Sequence, residues 1–114
     1  MSNPSSSKAK IKAVVPKLAE LIDTTVYGDV WQRPQLSLRD RSMITIAALV
    51  AMRQTDQLRS HMEKALDNGV TTAEISEVLT HLALYAGFPA SLSAALVARP
   101  LFADLGLIEP ETAQ

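Results

Sequence analysis

The sequence of 114 residues predicts an all-α protein. Apolar residues recur at helical spacing in five segments, and no segment alternates apolar and polar residues as a half-buried strand does. Residues typical of helix ends, such as a serine or threonine followed three positions later by an acidic residue, separate several of these segments. One domain is expected at this length, with a core large enough to need no cross-links.

Composition excludes several classes of function. Hydrophobic residues make up 47% of the chain and aromatic residues only 4%, so aliphatic side chains must build the core. The formal net charge is −1, with both signs interspersed, which gives no electrostatic reason to expect nucleic acid or an anionic membrane as a partner. The chain contains no cysteine, which excludes disulfides, thiolate metal sites and thiol redox catalysis.

The sequence pattern also predicts neither a signal peptide nor a membrane-spanning segment. The polar start, residues 1–7, has no apolar signal region. A charge-free run at 78–98 is long enough to cross a bilayer, but Gly87 and Pro89 interrupt it. We therefore expect a cytoplasmic protein without a membrane span.

The first half of the chain begins with a divided helix. We expect residues 1–7 to be disordered and residues 8–27 to be helical, with Pro16 dividing the segment because proline removes a backbone hydrogen bond. Gly28 ends this segment, and residues 28–36 follow as a loop.

The next two helices are marked by their caps. Ser37, three residues before Asp40, is placed to cap a helix that reaches about Met52. Its apolar residues point in almost all directions around the helix axis, so this helix should be central and buried. Thr55 should cap the following helix, which ends at Asn68-Gly69 with a left-handed cap.

Two further helices complete the pattern. Thr71 and Glu74 have the spacing of a capping box, and Gly87 is placed to end that helix with a positive φ. The last helix, at 90–105, is rich in alanine and serine, which allow close helix packing. Pro100 should kink or split it.

The domain prediction is a single unit at 8–105, followed by a frayed tail at 106–114. Leu84 lies opposite the main apolar stripe of its helix, and the last helix has no wholly polar face before Arg99. A chain of this size cannot cover both sides of such helices internally. The pattern therefore predicts an obligate homo-oligomer.

Two histidines and a tyrosine could act as acids or bases. His61 lies between the apolar stripe and the polar face of its helix, where a half-buried structural histidine is an equally good interpretation. His81 and Tyr85 are one turn apart beside the charge-free run; they form either an acid–base pair or a packed interface pair. Twenty positions separate the histidines, and no short-spaced ligand pair accompanies them, so no metal is predicted.

Three arginines and one tryptophan surround one loop and helix start. These residues are Trp31, Arg33, Arg39 and Arg41. The guanidinium groups either form a salt-bridged surface with Asp29 and Asp40 or bind the carboxylates of a substrate. The single tryptophan is either a packing anchor or the wall of a pocket.

Short blocks of this sequence resemble the carboxymuconolactone decarboxylase family. They are YGDVWQRP at 27–34, LSLRDR at 36–41, QLRSH at 57–61, NGVT at 68–71 and HLALYAGFPA at 81–90. The similarity spans about residues 20–104 in the right order. It implies the all-α fold of the alkyl hydroperoxidase D-like superfamily, with about six helices, and a hexamer of intertwined chains, or a trimer.

The same superfamily contains thiol peroxidases, which this chain does not match. Their Cys-x-x-Cys pair would fall on Gln54 and Gln57, their histidine on His61 and their relay glutamate on Ser42. Without its thiolate nucleophile, a peroxidase cannot work. The resemblance therefore points to the decarboxylase branch.

Decarboxylases of this family convert 4-carboxymuconolactone to the 3-oxoadipate enol-lactone in aromatic catabolism, with no organic cofactor or metal. The resemblance implies His61 or His81 as proton donor, with Tyr85 in support. It also implies that Arg33 and one of Arg39 or Arg41 bind carboxylates, and that Trp31 forms a wall. Two alternatives remain: an isomerase or lactone hydrolase on the same scaffold, and a non-catalytic oligomeric module that binds an acidic metabolite.

Overall fold

The structure is a computed structural model that describes residues 7–110. Within this range it contains six α-helices and no strand, so the all-α prediction is confirmed. The helices are α1 (Ser7–Val14), α2 (Pro16–Leu21), α3 (Leu38–Ala51), α4 (Thr55–Asp67), α5 (Thr72–Tyr85) and α6 (Phe88–Asp104). The chain divides at residue 36 into two compact units. The single domain at 8–105 stays a prediction.

The first unit contains α1 and α2, which are separated next to Pro16 as the sequence predicts. A π-helical turn, Ile22–Val26, follows α2 directly. Lys8 in α1 forms a 2.7 Å ion pair with Asp23 in this turn. The predicted disordered start lies outside the described residues, except for Ser7, which begins α1.

The predicted loop at 28–36 contains a 3-10 turn, Val30–Gln32, that periodicity did not indicate. The Gln32 side-chain amide donates a 3.0 Å hydrogen bond to the Tyr27 carbonyl. The rings of Tyr27 and Trp31 lie 5.5 Å apart between centroids, at 45°. A side-chain contact and a local hydrogen bond therefore order part of this loop.

The second unit packs α3 to α6 around one apolar core. The buried side chains are Ile46, Val50, Leu58, Met62, Ala65, Val70, Ile75, Leu79, Ala90, Ala94, Ala98 and Leu101. Burial of such aliphatic surface is the main free-energy contribution that holds these helices together. Helical spacing in the sequence predicts an apolar stripe on α5, and it is confirmed, because its members either belong to this core or pack against it: Ile75, Val78, Leu79, Leu82 and Ala86.

Local signals at helix ends are mostly confirmed. The Ser37 hydroxyl accepts a 3.0 Å hydrogen bond from the Asp40 amide at the start of α3. The capping box of Thr71 and Glu74 is present at the start of α5. Gly87 has φ +101°, a conformation that suits glycine, and it separates α5 from α6.

The prediction that Thr55 caps α4 is wrong, because the two residues before it, Arg53 and Gln54, form the turn that ends α3. Arg53 has φ +58°, its amide donates to Val50, and the amide of Gln54 donates to Leu49. These two bonds form a Schellman motif, in which glycine is the usual left-handed residue. Gln54 is consequently the residue before α4, and Thr55 is the first helical residue.

Two other expectations need correction. The prediction that α3 is buried all round is wrong for this chain, since Ile44 is 55% exposed. Its buried residues lie on one face, against α4 to α6. Pro100 does not split the last helix, because α6 continues through it to Asp104, and the alternative of a kink stays a prediction. Proline removes one amide donor there, and the surrounding turns continue regardless.

Candidate active site

An open groove lies between α3 and α5 in the second unit. Its volume is about 490 Å³. The lining residues are Met43, Ile44, Ala47, Glu74, Glu77, Val78, His81 and Leu82. Most of this surface is apolar, with two carboxylates and one imidazole as the groups that can react or bind charge. Such a combination is typical of small-molecule sites.

Helical spacing explains how α5 builds its wall of the groove. Glu74, Val78 and His81 are separated by four and three positions, so their side chains leave the helix on one face. Seven residues of α-helix advance about 10 Å, which is the separation along the axis between Glu74 and His81. The groove thus has an acidic residue at one end of its α5 wall and the imidazole near the other.

His81 and Tyr85 are in direct contact, as predicted. Their ring centroids lie 4.8 Å apart with an interplanar angle of 31°. Tyr85 is 77% exposed, so its ring lies against the imidazole from the solvent side. Glu77 precedes His81 by one turn, at a spacing where a carboxylate and an imidazole are neighbours. The imidazole therefore has an aromatic ring on one side and a carboxylate in the same groove.

His61 lies on α4 and is not among the residues that line the groove. Its Nδ1 is buried and has no hydrogen-bond partner within residues 7–110. Burial, together with the positive charge of Lys64, lowers the pKa of His61 below its ordinary value of 6.5. The neutral imidazole is therefore favoured at neutral pH, which makes His61 a poor source of a proton.

The lowered pKa of His61 gives a testable pH dependence of stability. Between the folded-state pKa and 6.5, the unfolded chain binds more protons than the folded one, so the free energy of unfolding decreases as pH falls through that window. His61→Gln cannot take up this proton and should show a weaker decrease. Urea denaturation from neutral to mildly acidic pH measures the difference, with His81→Gln as the control. Equal decreases in His61→Gln and the unsubstituted protein would contradict this assignment.

Arg39 is connected to the groove through Glu74. The Arg39 guanidinium forms an ion pair with the Glu74 carboxylate and lies 3.8 Å from Asp40. Arg39 and Arg41 are two positions apart on α3, so their side chains leave the helix on different faces. Arg39 is therefore the arginine that the structure connects to the groove. Its proximity to Asp40 also supports the alternative that it forms part of a salt-bridged surface.

The remaining predicted residues, Trp31 and Arg33, belong to the first unit. Trp31 is half-buried and contacts Tyr27, while Arg33 is exposed. The predicted roles of these two residues in substrate binding stay predictions.

Ser42 has a structural role in the second unit. It is buried, donates a 2.8 Å hydrogen bond to the Leu38 carbonyl, and accepts a 2.9 Å hydrogen bond from the Asn68 side-chain amide. The bond from Asn68 connects α3 to the end of α4. The residue at the position of the peroxidase relay glutamate is thus used in packing.

Within residues 7–110, no three side chains of the metal-binding types come together as a site for a metal ion. The helices of the same range include none with the length and apolar character needed to cross a membrane.

Sequence reasoning missed the groove carboxylates, Glu74 and Glu77, as site residues. In the sequence, Glu74 is explained by helix capping alone, and Glu77 has no predicted role. Their spacing from His81, seven and four positions, was the available signal, because residues at these intervals share a helix face. The contact of Glu74 with Arg39 joins positions 35 apart, and no local pattern reports it.

Comparison with known proteins identifies relatives of this chain. Residues 16–100 match the model of the carboxymuconolactone decarboxylase family. The chain is 46% identical over 90 residues to 4-carboxymuconolactone decarboxylase of Acinetobacter baylyi, covering 79% of this chain and 66% of that protein. It is 36% identical over 86 residues to nitrosuccinic acid decarboxylase of Metarhizium robertsii, covering 75% of this chain and 60% of that protein.

The chain thus spans slightly less than two thirds of the length of each of these relatives. The family match nevertheless includes α2 to α5 and most of α6, and therefore every residue that lines the groove. The resemblance recognised in the sequence is confirmed: this chain belongs to the carboxymuconolactone decarboxylase family.

Proposed function

We propose that this protein is a cofactor-independent decarboxylase of a carboxylated lactone, namely 4-carboxymuconolactone or a close variant. The observation that supports this most directly is the 46% identity to a 4-carboxymuconolactone decarboxylase. The matched family region includes the groove with His81. The product would be the 3-oxoadipate enol-lactone.

The reaction needs little from a catalyst beyond orientation and one proton. The bond between the carboxylate and the ring carbon breaks, CO2 leaves, and the electron pair passes into the unsaturated lactone. A proton delivered to carbon then completes the product. Because the lactone itself delocalises the electron pair, no organic cofactor or metal is required, and the protein supplies positioning and charge stabilisation.

His81 is the proposed proton donor. It lines the groove and contacts the Tyr85 ring, whereas His61 lies outside the groove and has a lowered pKa that favours its neutral form. Arg39 would bind a substrate carboxylate, and the apolar walls would exclude water around the reacting carbon. Tyr85 would hold the imidazole ring in place. Water would return the proton to His81 after each turnover.

A second candidate is decarboxylation of an open-chain acid. The support for it is the 36% identity to nitrosuccinic acid decarboxylase. Loss of CO2 next to a nitro group also leaves an electron pair that the substrate can delocalise. The same groove would then perform the same two tasks, carboxylate binding and proton delivery, on a different molecule.

We also propose a homo-oligomer, a hexamer or a trimer, located in the cytoplasm. Large apolar side chains are exposed along α5 and α6: Leu84, Phe88, Leu92 and Leu96. A row of this kind on a single chain supports association with further copies. Light scattering after size exclusion measures the mass, and a monomer at micromolar concentration would refute this part of the proposal.

The test of function uses purified protein with 4-carboxymuconolactone and, separately, nitrosuccinic acid, without added metal or nucleotide. CO2 release and loss of substrate are followed together. Turnover of the lactone supports the first candidate, and turnover of nitrosuccinic acid alone supports the second. A folded protein that converts neither acid would refute both candidates.

A further inference from the structure

We propose that Glu74 is a positioning residue that holds the Arg39 guanidinium at one end of the groove, where Arg39 selects substrates that bear a carboxylate. This inference rests on the proposed function, since it names the determinant of carboxylate recognition at the same site. It assigns Glu74 a role beyond helix capping.

The two oxygens of Glu74 have different partners. Oε1 accepts a 3.0 Å hydrogen bond from the Thr71 amide, within the capping box of α5. Oε2 is in contact with Nη2 of Arg39 on α3. Because the capping box fixes one oxygen, the direction of the other is also fixed. Arg39 is therefore held by a carboxylate whose own position the start of α5 determines.

The Arg39–Glu74 pair is more shielded from water than the other ion pairs found within residues 7–110. Both side chains are 37% exposed. By comparison, Asp23 is 53% exposed in its pair with Lys8, and Asp104 is 64% exposed in its pair with Arg59. Exposed ion pairs restrict their side chains little, whereas a half-buried pair is screened less and keeps its geometry better.

The charges of the groove explain why Arg39 is needed. The lining residues include two carboxylates, Glu74 and Glu77, but no lysine or arginine. These carboxylates alone would repel an anionic substrate. Arg39 pairs with Glu74 and lies 3.8 Å from Asp40, and it keeps further N–H donors, because a guanidinium has five. A substrate carboxylate is thus favoured at the Arg39 end and disfavoured next to Glu77.

The position of Arg39 relative to His81 also sets the orientation of the substrate in the groove. Arg39 contacts the α5 wall at Glu74, about 10 Å along the helix from His81. Between them, the walls are apolar residues such as Met43, Ala47 and Val78. A carboxylate bound at Arg39 therefore directs the rest of a short molecule along the apolar wall toward the imidazole. Glu74 would act on substrate only through Arg39.

The matched variants are Glu74→Gln and Thr71→Ala. Glutamine at position 74 can still accept the Thr71 amide in a capping box but loses the charge that holds Arg39. Thr71→Ala removes only the hydroxyl that accepts from the Glu74 amide. The backbone amide of residue 71 can still donate to Oε1 of Glu74, so the Arg39–Glu74 contact should persist. Steady-state kinetics with 4-carboxymuconolactone should show KM raised about tenfold in Glu74→Gln, with a smaller change in kcat. KM should stay unchanged in Thr71→Ala.

A third variant, Arg39→Met, shows whether Glu74 acts through Arg39. Alone it should raise KM about 10- to 100-fold. Adding Glu74→Gln to it should raise KM no further and should lower it in part, because the partner is already absent and glutamine removes the unpaired carboxylate that repels the substrate. Binding of a saturated γ-lactone carboxylate, which cannot delocalise the electron pair and so does not decarboxylate, should weaken in the same order. Unsubstituted γ-butyrolactone should not discriminate among the variants.

The outcomes separate this inference from the proposed function. If the unsubstituted protein neither converts nor binds the carboxylated lactones, the proposed function fails and this inference fails with it. If it converts the lactone but KM of Glu74→Gln is unchanged, lowered or matched by Thr71→Ala, the inference alone is overturned. A further rise of KM on adding Glu74→Gln to Arg39→Met would overturn it equally.

Discussion

Replacing His81 with alanine is expected to lower kcat of lactone decarboxylation by about 10²–10⁴, the range for loss of a general acid. His81 lines the groove, is exposed and has the Tyr85 ring against it. Since the side chain is not part of the core, and alanine is a good helix former, the free energy of unfolding should change little. Stopped assays of CO2 release, combined with urea denaturation, measure both quantities.

The matched control is His61→Ala, which removes the other histidine from outside the groove. Its expected effect is a modest change in stability, with kcat within a few-fold of the unsubstituted protein. A loss of kcat that is larger in His61→Ala than in His81→Ala would reverse the assignment of the proton donor. A loss of oligomer in His81→Ala that parallels its loss of activity would indicate a structural role.

Leu58→Ala is expected to lower the free energy of unfolding by about 2–5 kcal/mol, the range for a leucine removed from a packed core. Leu58 is 0% exposed and lies in the core shared by α4 with α3, α5 and α6. Alanine leaves a cavity that these helices can fill only in part. Urea denaturation at fixed protein concentration gives the difference, because an oligomer's stability depends on concentration.

The control is Leu107→Ala, since Leu107 is half-exposed and lies beyond the end of α6. Leu107→Ala should lower the free energy of unfolding by much less than Leu58→Ala does. An equal decrease in the free energy of unfolding for both variants would mean that the core described for the second unit does not hold the helices together.

The fold was predictable from the sequence where the determining interactions are local. The capping box of Thr71 and Glu74 and the positive φ of Gly87 each involve residues a few positions apart, and their chemistry is visible in the sequence. The apolar stripe of α5 was predictable for the same reason. Periodicity reports which face of a helix is buried whenever one face is more apolar than the others.

The errors arose where one residue type can serve two structures. Arg53 occupies a left-handed position where glycine is usual, so the Schellman motif that ends α3 was not recognised. Thr55 then resembled a cap, although it is the first residue of α4. The apolar residues of α3 point in almost all directions around its axis, so its sequence gave no indication of which face is exposed.

Only part of the candidate site could be predicted. His81 and Tyr85 are one turn apart, so helical spacing alone brought them together. The pairing of Arg39 with Glu74, and the separation of His61 from the groove, depend on how whole helices pack. Such long-range contacts leave no local pattern in a single sequence.

The buried face of α6 limits how this protein can diverge. Ala90, Ala94 and Ala98 recur every fourth position on that face, and Ser91 donates a 2.7 Å hydrogen bond to the carbonyl of Leu79 in α5. Any larger side chain there would push the helices apart, and overpacking of a dense core is destabilising. The exposed groove residues Ile44, Glu77 and His81 carry no such restriction. Evolution of a new substrate preference should therefore change residues of α3 and α5 while α6 keeps its small side chains.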